Sequence, residues 1–481
     1  MNTIYRERIE STLVETHREG IDSVVEWLGE NHFYDAPASV VHHNAFQGGL
    51  AKHSWEVYCQ AMALWQASDH REAMAPESVA IAALLHDVCK ADNYQFDRSN
   101  PYHIQTLNDN RAKGHGGRSV RILERLGLAM SHEERMAIHW HMGEFELSSG
   151  GSEQDYEESV RIPLCNLVRR ADGYAARRNT WDAGAWRAYF EERKKQGDTR
   201  GPRRQVYAST LMLVKRGRYH TASEGSVDLG RIVNPQAQAD NVFVDREITL
   251  RPSLERNSGQ VRIAVVNDDC LALARRLHAT DPTDDICVLN MANSHRPGGG
   301  VWGGAGAQEE YLFRCTDYYR FLYQYANNFD PHVHVQRNAR HHYPLDPLYG
   351  GVYSHGVTVF RDTEANGYAL LDSPVRLNFV AVAAFHFNER CDAIPQPYVE
   401  PTKDKIRLML RLAANNGQRR LVLGAFGCGA FHNEPHHMAQ LFRQVIHESE
   451  FQGLFTSISF AVIEDHNSTN NYTAFRDVLE G

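Results

Sequence analysis

Histidine and aspartate side chains that could bind a metal recur through the first part of the chain. They are His53, the adjacent pair His86-Asp87, His115, His141 and Asp172. Imidazole and carboxylate groups are ligands that divalent Mn, Fe, Ni and Zn accept. Two ions close together would stabilise the attacking and leaving oxygens of a phosphoryl transfer. The alternative is a set of unrelated histidines in a chain that has 26 of them, but their ordered spacing favours a metal site.

The half of the chain that carries these residues has a helical pattern. Residues 79–85 form an apolar helical stretch that runs directly into the His-Asp pair, and Ser131 with Glu134 makes a capping-box pattern. Strand-like alternation is scarce, so an all-α fold is predicted. His53 and Asp172 would then come from separate helices and place the site in the core of a helical bundle. His139 and His141 point to opposite sides of a helix, so we expect only His141 to be a ligand.

Four short segments resemble the HD-domain metal-dependent phosphohydrolases. They are residues 48–53, 84–90, 114–116 and 170–173, and the resemblance covers residues 35–180. It implies an HD-type helical bundle in which the primary metal ligands are His53, His86, Asp87 and Asp172. His115 and His141 are the implied ligands of a second ion, and Lys90 is implied to face the substrate phosphate. The expected cofactor is one or two divalent ions (Mn, Fe, Ni or Mg), and the expected substrate is a nucleotide.

A second constellation follows the strand predicted over residues 286–289. It begins at Asn290, continues through Asn293 and three consecutive glycines, Gly298, Gly299 and Gly300, and ends in Gln308, Glu309 and Glu310. Glycine loses much backbone entropy on folding. We therefore expect this loop where the backbone approaches a ligand and its N–H groups face an anion or a sugar, rather than for packing. A second glycine loop, 424–431, follows another predicted strand, and two such loops at neighbouring strand ends can hold a diphosphate.

The adjacent carboxylates of Glu309 and Glu310 indicate chemistry at a glycosidic centre. Cleavage of a ribosyl C1″–O bond passes through an oxocarbenium-like state and is assisted by a carboxylic acid that protonates the leaving oxygen. One glutamate can hydrogen-bond ribose hydroxyls while the other holds the proton, if its surroundings raise its pKa. The alternative is that both are ordinary acidic residues in the first turn of a helix, where they interact favourably with its dipole.

Residues 298–316 resemble the catalytic signature of the poly(ADP-ribose) glycohydrolases in their short microbial form, which has a macrodomain-like fold. Further similar segments extend the resemblance over residues 255–480. It implies that Glu310 is the catalytic acid, that Glu309 orients ribose hydroxyls and that this half needs no metal. The implied ADP-ribose-binding residues are Asp268 or Asp269 at the adenine, Asn293, Gly298, Gly299 and Gly300 at the scissile ribose, Gln308 in the same signature, Gly427, Cys428, Gly429 and Ala430 at the diphosphate, and Phe431 at the distal ribose.

Short apolar runs alternate with helical stretches from about residue 260 onwards. The predicted strands are 261–266, 286–289, 357–360, 379–384, 421–425 and 458–463. This alternation predicts an α/β three-layer sandwich with helices on both faces of a mostly parallel sheet. The predicted domains are therefore an HD-type domain over 1–197, a linker and small connecting region over 198–258, and a macrodomain-like domain over 259–481. Within the connecting region, 206–214 and 242–250 have strand-like patterns, and the basic run 193–204 is predicted to be a solvated linker.

The composition narrows the cellular context. A net charge of −9 argues against a surface that attracts nucleic acid overall. The eight cysteines are scattered without a Cys-x-x-Cys pair, which fits a reducing compartment. The charged N-terminus does not resemble a signal peptide, and no apolar run reaches the ~20 residues that a membrane span needs. We therefore expect a cytoplasmic protein that does not bind membranes.

The combined prediction is a bifunctional hydrolase. It would release ADP-ribose from an ADP-ribosylated protein or nucleic acid, and it would hydrolyse a nucleotide-type phosphoester, for which an ADP-ribose derivative is one candidate. One alternative is a module that only binds ADP-ribose and recruits an HD nuclease. Another gives the main activity to the HD domain, as an exonuclease or a cyclic-nucleotide phosphodiesterase. Glu310 favours the enzyme, because a binding module has no use for an acid at the scissile bond.

Overall fold

The chain divides into two compact units, Met1–Glu224 and Gly225–Gly481. The computed structural model describes residues 3–39, 44, 47–96, 104–106, 114–149, 151–177, 181–223, 225–234, 236–237, 239–283, 285–327, 335–390, 392–464 and 470–481. Cys391 and part of the resemblance near the C-terminus, residues 465–469, lie outside these ranges. The domain boundaries at 197 and 258 stay predictions.

The N-terminal unit is built from helices, as predicted. Its helices are α1 (Thr3–Val14), α2 (Ile21–Glu30), α3 (Gly49–Gln66), α4 (Pro76–Leu85), α5 (His115–Arg125), α6 (His132–His139), α7 (Glu153–Arg161), α8 (Pro163–Arg177), α9 (Ala183–Lys195) and α10 (Arg200–Arg216). Its short strands are β1 (Tyr94–Phe96), β2 (Ile104–Thr106) and β3 (Tyr219–His220), of which β1 and β2 pair antiparallel.

Helix α4 lies in the centre of this unit. Pro76 stands in its first turn, where a missing N–H costs no hydrogen bond. Every residue over 79–85 is apolar and buried. A helix that is apolar on all sides is stable only where other elements surround it. It packs against α3, α6 and α8. Those are the elements that carry or precede most of the predicted metal ligands.

The start of α6 was predicted correctly, and the strand over 206–214 was not. Ser131 accepts from the N–H of Glu134, whose side chain accepts from the N–H of Ser131, so the capping box is present. Residues 206–214 lie in α10 instead, because their buried side chains recur at helical spacing. Helix α10 begins at Arg200, so the end of the basic run is helical and not a linker.

The C-terminal unit alternates strands and helices. Its strands are β4 (Ser226–Val227), β5 (Asn241–Asp245), β6 (Arg262–Val266), β7 (Ile286–Met291), β8 (Gly350–Arg361), β9 (Leu370–Val382), β10 (Arg420–Leu423) and β11 (Ser457–Ala461). Its helices are α11 (Leu229–Ile232), α12 (Cys270–Thr280), α13 (Gln308–Cys315), α14 (Tyr319–Leu322), α15 (Gln396–Asn415), α16 (Pro435–Ile446) and α17 (Asn471–Leu479).

A seven-stranded mixed sheet forms the centre of this unit, in the order β5-β8-β9-β7-β10-β11-β6. Strands β9, β7, β10, β11 and β6 run parallel to one another, whereas β8 pairs antiparallel with both β9 and β5. All six predicted strands are present. The run 242–250 forms a strand only over Asn241–Asp245, and this strand lies at the sheet edge. The α/β fold class is confirmed.

Alternate residues of the central strand β7 face opposite sides of the sheet. Cys287 and Leu289 belong to the core that contains residues of α15, α16 and α17. Asn290 faces the other side, where it contacts Glu309 of α13. Strands β7 and β10 are parallel neighbours, so the two glycine loops leave the same edge of the sheet.

Helices long and apolar enough to cross a bilayer are absent from the ranges that the structure describes.

Candidate functional sites

Five of the predicted metal ligands come together in the core of the N-terminal unit. His53 lies in α3, His86 and Asp87 follow α4, His141 follows α6, and Asp172 lies in α8. Their side chains are buried, with Asp172 the most exposed at 13%. They form two overlapping groups of donor atoms, His53–His86–Asp172 and His86–Asp87–His141, each within 4.8 Å. A fold that brings such donor atoms together in a buried core is suited to a cation.

The donor atoms lie at distances that would be unfavourable without a proton or a cation among them. The Nε2 atoms of His53 and His86 are 3.4 Å apart. Oδ1 of Asp172 lies 3.0 Å from Nε2 of His53 and 3.9 Å from Nε2 of His86. Oδ2 of Asp87 lies 3.3 Å from Nε2 of His86. Five donors converge here, which is a set that a divalent transition metal accepts.

Backbone carbonyls fix the orientation of two of these histidines. Nδ1 of His86 lies 2.8 Å from the carbonyl of Ala83, and Nδ1 of His141 lies 2.8 Å from that of Ile138. If each Nδ1 carries the proton and donates it to the carbonyl, each Nε2 presents a lone pair to the cluster. Histidines that ligate metals are commonly held in this way. The residues present therefore fit a divalent ion.

Lys90 does not extend freely from the site. Its Nζ donates to Oδ2 of Asp87 at 2.6 Å, and the side chain is buried. Burial raises the pKa of Asp87, but the charges of Lys90 and His86 outweigh it and hold that pKa well below its usual range. The lysine charge thus stabilises an ionised metal-ligand candidate in the structure.

His115 and His139 lie outside both groups of donor atoms. His115 is the first residue of α5, and its Nδ1 lies 4.0 Å from Sγ of Cys89. Burial lowers the pKa of His115 to about 4, which leaves its imidazole neutral at pH 7. The ring of His139 stacks on Trp140 instead. His141 is therefore the member of its pair that joins the cluster, whereas the structure does not bring His115 into it.

The second site contains Glu309 at the start of α13. Both carboxylate oxygens accept hydrogen bonds: Oε2 from the N–H of Asn293 at 2.7 Å, and Oε1 from the N–H of Gly298 at 3.0 Å and from Nδ2 of Asn290 at 3.3 Å. Burial raises the pKa of Glu309 to about 8, with a further rise from the charge of Glu310 and an opposing effect of the N–H donors. The side chain is held in one place by three donors from β7 and the loop that follows it.

Glu310 has a different environment although it is the next residue. Its Oε1 accepts from the N–H of Gly300 at 2.7 Å. Its Oε2 is buried and has no hydrogen-bond partner in the described part of the chain. Within the pair, therefore, only Glu310 has a carboxylate oxygen that is not already bound to protein donors.

The three consecutive glycines have a packing role, which corrects the expectation that packing does not explain them. Gly298 and Gly299 have φ values of +74° and +51°, a region that non-glycine residues rarely adopt. A Cβ on Gly298 would lie 2.8 Å from the ring of Phe313, and one on Gly299 would lie 2.5 Å from Oε1 of Glu310. The N–H groups of Gly298 and Gly300 face the protein's own glutamates. The loop thus positions the carboxylates.

Gln308 and Asn293 hold the strand and the loop around these glutamates. Oε1 of Gln308 accepts from the N–H of Met291 at 3.0 Å, and its Nε2 donates to the carbonyl of Leu289 at 2.7 Å. Oδ1 of Asn293 accepts from the N–H groups of His295 and Arg296. Both predicted ligand-binding residues therefore use side-chain atoms within the protein.

The loop after β6 contains the predicted adenine contacts. Asp268 forms an ion pair with Arg276. Asp269 caps α12 and accepts from the hydroxyl of Tyr311 at 2.8 Å. Burial raises the pKa of Asp269. Both oxygens of Asp268 also have protein partners, because Oδ1 accepts from the N–H of Asp269 at 2.7 Å and Oδ2 is bound by Arg276, so both candidates are bonded within the protein.

The second glycine loop follows β10. Gly427 has a φ of +71°, and a Cβ there would lie 2.5 Å from Nδ2 of Asn433. Gly429 is exposed and would admit a Cβ without contact within 4 Å. Cys428 is buried, Ala430 is exposed, and Phe431 is half-buried with its ring against His386. Protein packing explains the glycine at 427 but not the one at 429.

The sequence assigned no role to two residues that hold this site together, Asn290 and Tyr311. Asn290 is fully buried and donates to Glu309. Tyr311 links α13 to the cap of α12. The only available signal was a polar side chain at Asn290 within an apolar strand, where burial requires a partner.

Family models match both units. The HD domain matches residues 50–177, and the model described as "Microbial-type PARG, catalytic domain" matches residues 208–362. HD domains bind a divalent metal, and the clustered histidines and aspartates of this chain could hold one. No curated protein matches the chain.

Solved structures of bacterial poly(ADP-ribose) glycohydrolases (PARG) are similar to the chain. The enzyme from Thermomonospora curvata is 30% identical over 58% of this chain and 99% of that chain, with a TM-score of 0.46. A second structure of it contains the inhibitor ADP-HPD (30% identity, 57% and 98% coverage, TM-score 0.45). The Deinococcus radiodurans enzyme, in complex with ADP-ribose, is 32% identical over 47% of this chain and 86% of that chain, with a TM-score of 0.37. The chain therefore belongs to the microbial-type PARG family and also carries an HD domain.

Proposed function

We propose that the C-terminal unit hydrolyses the O-glycosidic ribosyl bond of ADP-ribosylated acceptors and releases ADP-ribose, with Glu310 as the general acid. We propose that the N-terminal unit is a metal-dependent phosphohydrolase that acts on a nucleotide-type phosphoester. The observation that carries the first proposal is the unequal bonding of two adjacent, buried glutamates. Glu309 has both oxygens occupied by N–H donors, whereas Glu310 retains one unbonded oxygen.

The unequal bonding supports a division of roles. Glu310 is held through Oε1 by the N–H of Gly300, which leaves Oε2 for a proton and a substrate oxygen. Three donors fix Glu309 and use three of the roughly four acceptor sites of a carboxylate, so one site is left for a ribose hydroxyl. Its raised pKa, about 8, favours one retained proton in the pair at pH 7. Because the two carboxyl groups are coupled, that proton belongs to the pair.

The proposed reaction balances with water as the only co-substrate. As the C1″–O bond breaks, its electron pair stays on the leaving oxygen, which takes the proton from Oε2 of Glu310. Water then adds its oxygen to C1″ and returns a proton to Glu310. An acid positioned in this way contributes about 10²–10⁴-fold to the rate.

The substrate class follows from the position of the site and from its relatives. The two glycine loops leave the same sheet edge, where α/β folds bind ligands. Related bacterial enzymes have been solved with ADP-ribose or the inhibitor ADP-HPD. For this chain we propose ADP-ribose attached to protein or nucleic acid. Asp268 would contact the adenine, residues 427–430 the diphosphate, Phe431 the distal ribose, and Asn293 with residues 298–300 the scissile ribose.

In the N-terminal unit, His53, His86, Asp87 and Asp172 would hold the ion, and His141 lies close enough to share it or a second one. Such an ion supplies Lewis-acid stabilisation of phosphoryl oxygens. Lys90 keeps Asp87 ionised as a ligand. The match of this unit to the HD domain supports hydrolysis of a phosphoester. We propose an ADP-ribose derivative as the first substrate to test.

The test compares wild type, Glu310→Gln and Glu309→Gln on mono- and poly-ADP-ribosylated protein, with and without a chelator. Released ADP-ribose is followed by mass spectrometry, and ADP-ribose binding is measured by calorimetry. We expect Glu310→Gln to lose about 10²–10⁴-fold in release while it still binds ADP-ribose, and wild type to be insensitive to the chelator. A smaller loss in Glu310→Gln than in Glu309→Gln would assign the acid to Glu309.

The same experiment separates the alternatives. If wild type binds ADP-ribose but releases none, the C-terminal unit is a binding module or acts on another acceptor. Chelator-sensitive breakdown of the released ADP-ribose would support the proposed N-terminal substrate. Breakdown of a cyclic nucleotide or of single-stranded nucleic acid, with ADP-ribose derivatives left intact, would instead support a phosphodiesterase or an exonuclease.

A further inference from the structure

The second glycine loop, residues 424–431, uses its carbonyl groups and its N–H groups unequally. The carbonyl of Gly427 accepts from the N–H of Asn433 at 3.1 Å, and that of Gly429 accepts from the N–H of His432 at 3.1 Å. In contrast, four N–H groups have no hydrogen-bond acceptor in the part of the chain that the structure describes: those of Gly427, Gly429, Ala430 and Phe431. Successive backbone donors of this kind suit an anion.

The side-chain amide of Asn433 binds further carbonyls of this loop. Its Nδ2 lies 3.2 Å from the carbonyl oxygen of Gly427, 3.3 Å from that of Phe431 and 2.7 Å from that of Phe385. Three acceptors around one atom fix the orientation of the amide, because a 180° rotation would place Oδ1 against the three carbonyl oxygens. Asn433 is buried, and its Oδ1 has no partner among the described residues. The nitrogen is therefore the atom that this position uses.

Asn433 joins two loops that follow strands on either side of β7. Phe385 follows β9, whereas residues 424–431 follow β10, and β7 lies between these strands in the sheet. A main-chain bond, from the N–H of Phe387 to the carbonyl of Phe431 at 3.0 Å, joins the same two segments. The second glycine loop is therefore held at the sheet edge from which the loop with the first three glycines also leaves.

We propose that Asn433 is a positioning residue for the diphosphate of ADP-ribose: its amide binds the carbonyls of the second glycine loop and thereby leaves the N–H groups of that loop available to phosphate oxygens. The inference rests on the proposed function for the identity of the ligand. The effect of Asn433 on the conformation of the loop does not depend on that function. Asn433 acts through the loop and does not itself have to contact the ligand.

Two variants separate the amide donor from the volume of the side chain. Asn433→Ala removes both, whereas Asn433→Asp keeps the volume but places an acceptor against three carbonyl oxygens. The matched control is Asn378→Ala. Asn378 is also buried, accepts from the N–H of Gly356 at 2.9 Å and donates to Gln418 at 2.9 Å. It pairs with Cys287 near the start of β7, away from the loops that leave its end.

The first measurement follows the loop without a ligand, by the rate at which N-ethylmaleimide labels Cys428 in the full-length protein. Cys428 is buried within the loop, and Cys287, buried in β7, is the internal reference for global unfolding. We expect both Asn433 variants to label about 10-fold faster at Cys428 and at the wild-type rate at Cys287, since loss of the amide favours local opening. Asn378→Ala should not label faster at Cys428. Wild-type labelling of Cys428 in Asn433→Asp would show that only volume matters and would overturn the proposal.

The second measurement is the affinity for ADP-ribose by calorimetry, together with the kinetics of its release. We expect Kd and KM to rise by at least about 10-fold in both Asn433 variants, the effect of a hydrogen bond to a charged group, while kcat stays within about twofold of wild type. Asn378→Ala should bind like the wild type. Unchanged affinity in Asn433→Ala, or a loss confined to kcat, overturns the proposal. Absence of ADP-ribose binding in the wild type contradicts the proposed function instead, and the labelling of Cys428 then decides whether Asn433 holds the loop.

Discussion

The two units of this protein assemble their candidate sites in different ways. In the N-terminal unit the donors come from segments that lie far apart in the sequence, between His53 and Asp172, and meet in the core of a helical bundle. In the C-terminal unit one strand, one loop and one helix, residues 286–315, supply both glutamates and most of the groups that hold them.

This difference shows two ways to stabilise buried charge. The N-terminal cluster places carboxylates beside imidazoles and a lysine, so the positive charge of Lys90 offsets part of the cost of burying Asp87. The C-terminal pair has no cation in hydrogen-bonding contact with either carboxylate among the residues that the structure describes. Main-chain N–H groups and an amide hold Glu309 instead, and its pKa rises to about 8. The first arrangement suits a metal and the second suits a retained proton.

The largest expected effect concerns the charge-compensated cluster. Asp87→Asn keeps the size of a side chain that lies close to His86 and His141 but removes its charge. We expect metal affinity to fall by at least about 100-fold, since even indirect supports of a metal site cost 10–100-fold. Metal content of the purified protein and competition with a chromogenic chelator measure this.

The matched control for that prediction is Asp92→Asn. Asp92 ends the 3-10 turn Val88–Asp92, which directly follows Asp87, and is half-exposed, with its carboxylate 3.5 Å from Arg118. The Asp92→Asn variant should bind metal with the same affinity as the wild type. Equal affinity in Asp87→Asn and Asp92→Asn would show that the cluster is not the metal site.

The next effect concerns the glycine loop that positions the glutamates. Gly299→Ala would place a Cβ 2.5 Å from Oε1 of Glu310, at a φ of +51°. Displacement of a catalytic group by about 1 Å can cost about 10²-fold, so we expect a loss of that size in kcat/KM for ADP-ribose release. Gly303→Ala is the control, because a Cβ there meets no atom within 4 Å. Equal activity of the two variants would argue against a strict placement of Glu310.

A third effect, on stability rather than on activity, concerns the proton held by the C-terminal pair. Burial, followed by the charge of Glu310, raises the pKa of Glu309 from 4.5 in the unfolded chain to about 8 in the folded one. The stabilisation from its proton is complete below pH 4.5 and is lost as the pH rises through about 8. Relative to Glu309→Gln, the wild-type free energy of unfolding should therefore fall by roughly 4 kcal/mol between pH 5 and pH 8.5.

Urea unfolding of the C-terminal unit in the full-length protein, at several pH values, measures that fall. The Glu309→Gln variant removes the titration of this residue but keeps Asp317, another buried carboxyl whose pKa is raised by burial to about 7. The two proteins therefore share the background pH dependence. Parallel curves would mean that Glu309 is ionised across this range.

Residue types and local patterns were sufficient for much of the fold. The apolar run 79–85 predicted a buried helix, and the capping box at Ser131 predicted the start of α6, because both depend on neighbouring residues alone. The six apolar strand runs were also predicted. The prediction of a strand over 206–214 was wrong. The β-branched residues of this segment are compatible with a strand or a helix, and tertiary packing favours the helix.

The sequence by itself determined which residues are chemically capable: the ordered histidines and aspartates, and the glutamate pair after a glycine loop. Only the tertiary structure decided how they are used. It joined His141 to the cluster but not His115, turned Lys90 onto Asp87, and left one oxygen of Glu310 unbonded beside a fully bonded Glu309. The physical reason is that the identity of a side chain fixes its donors and acceptors, whereas its partners, its burial and hence its pKa depend on residues far away in the chain.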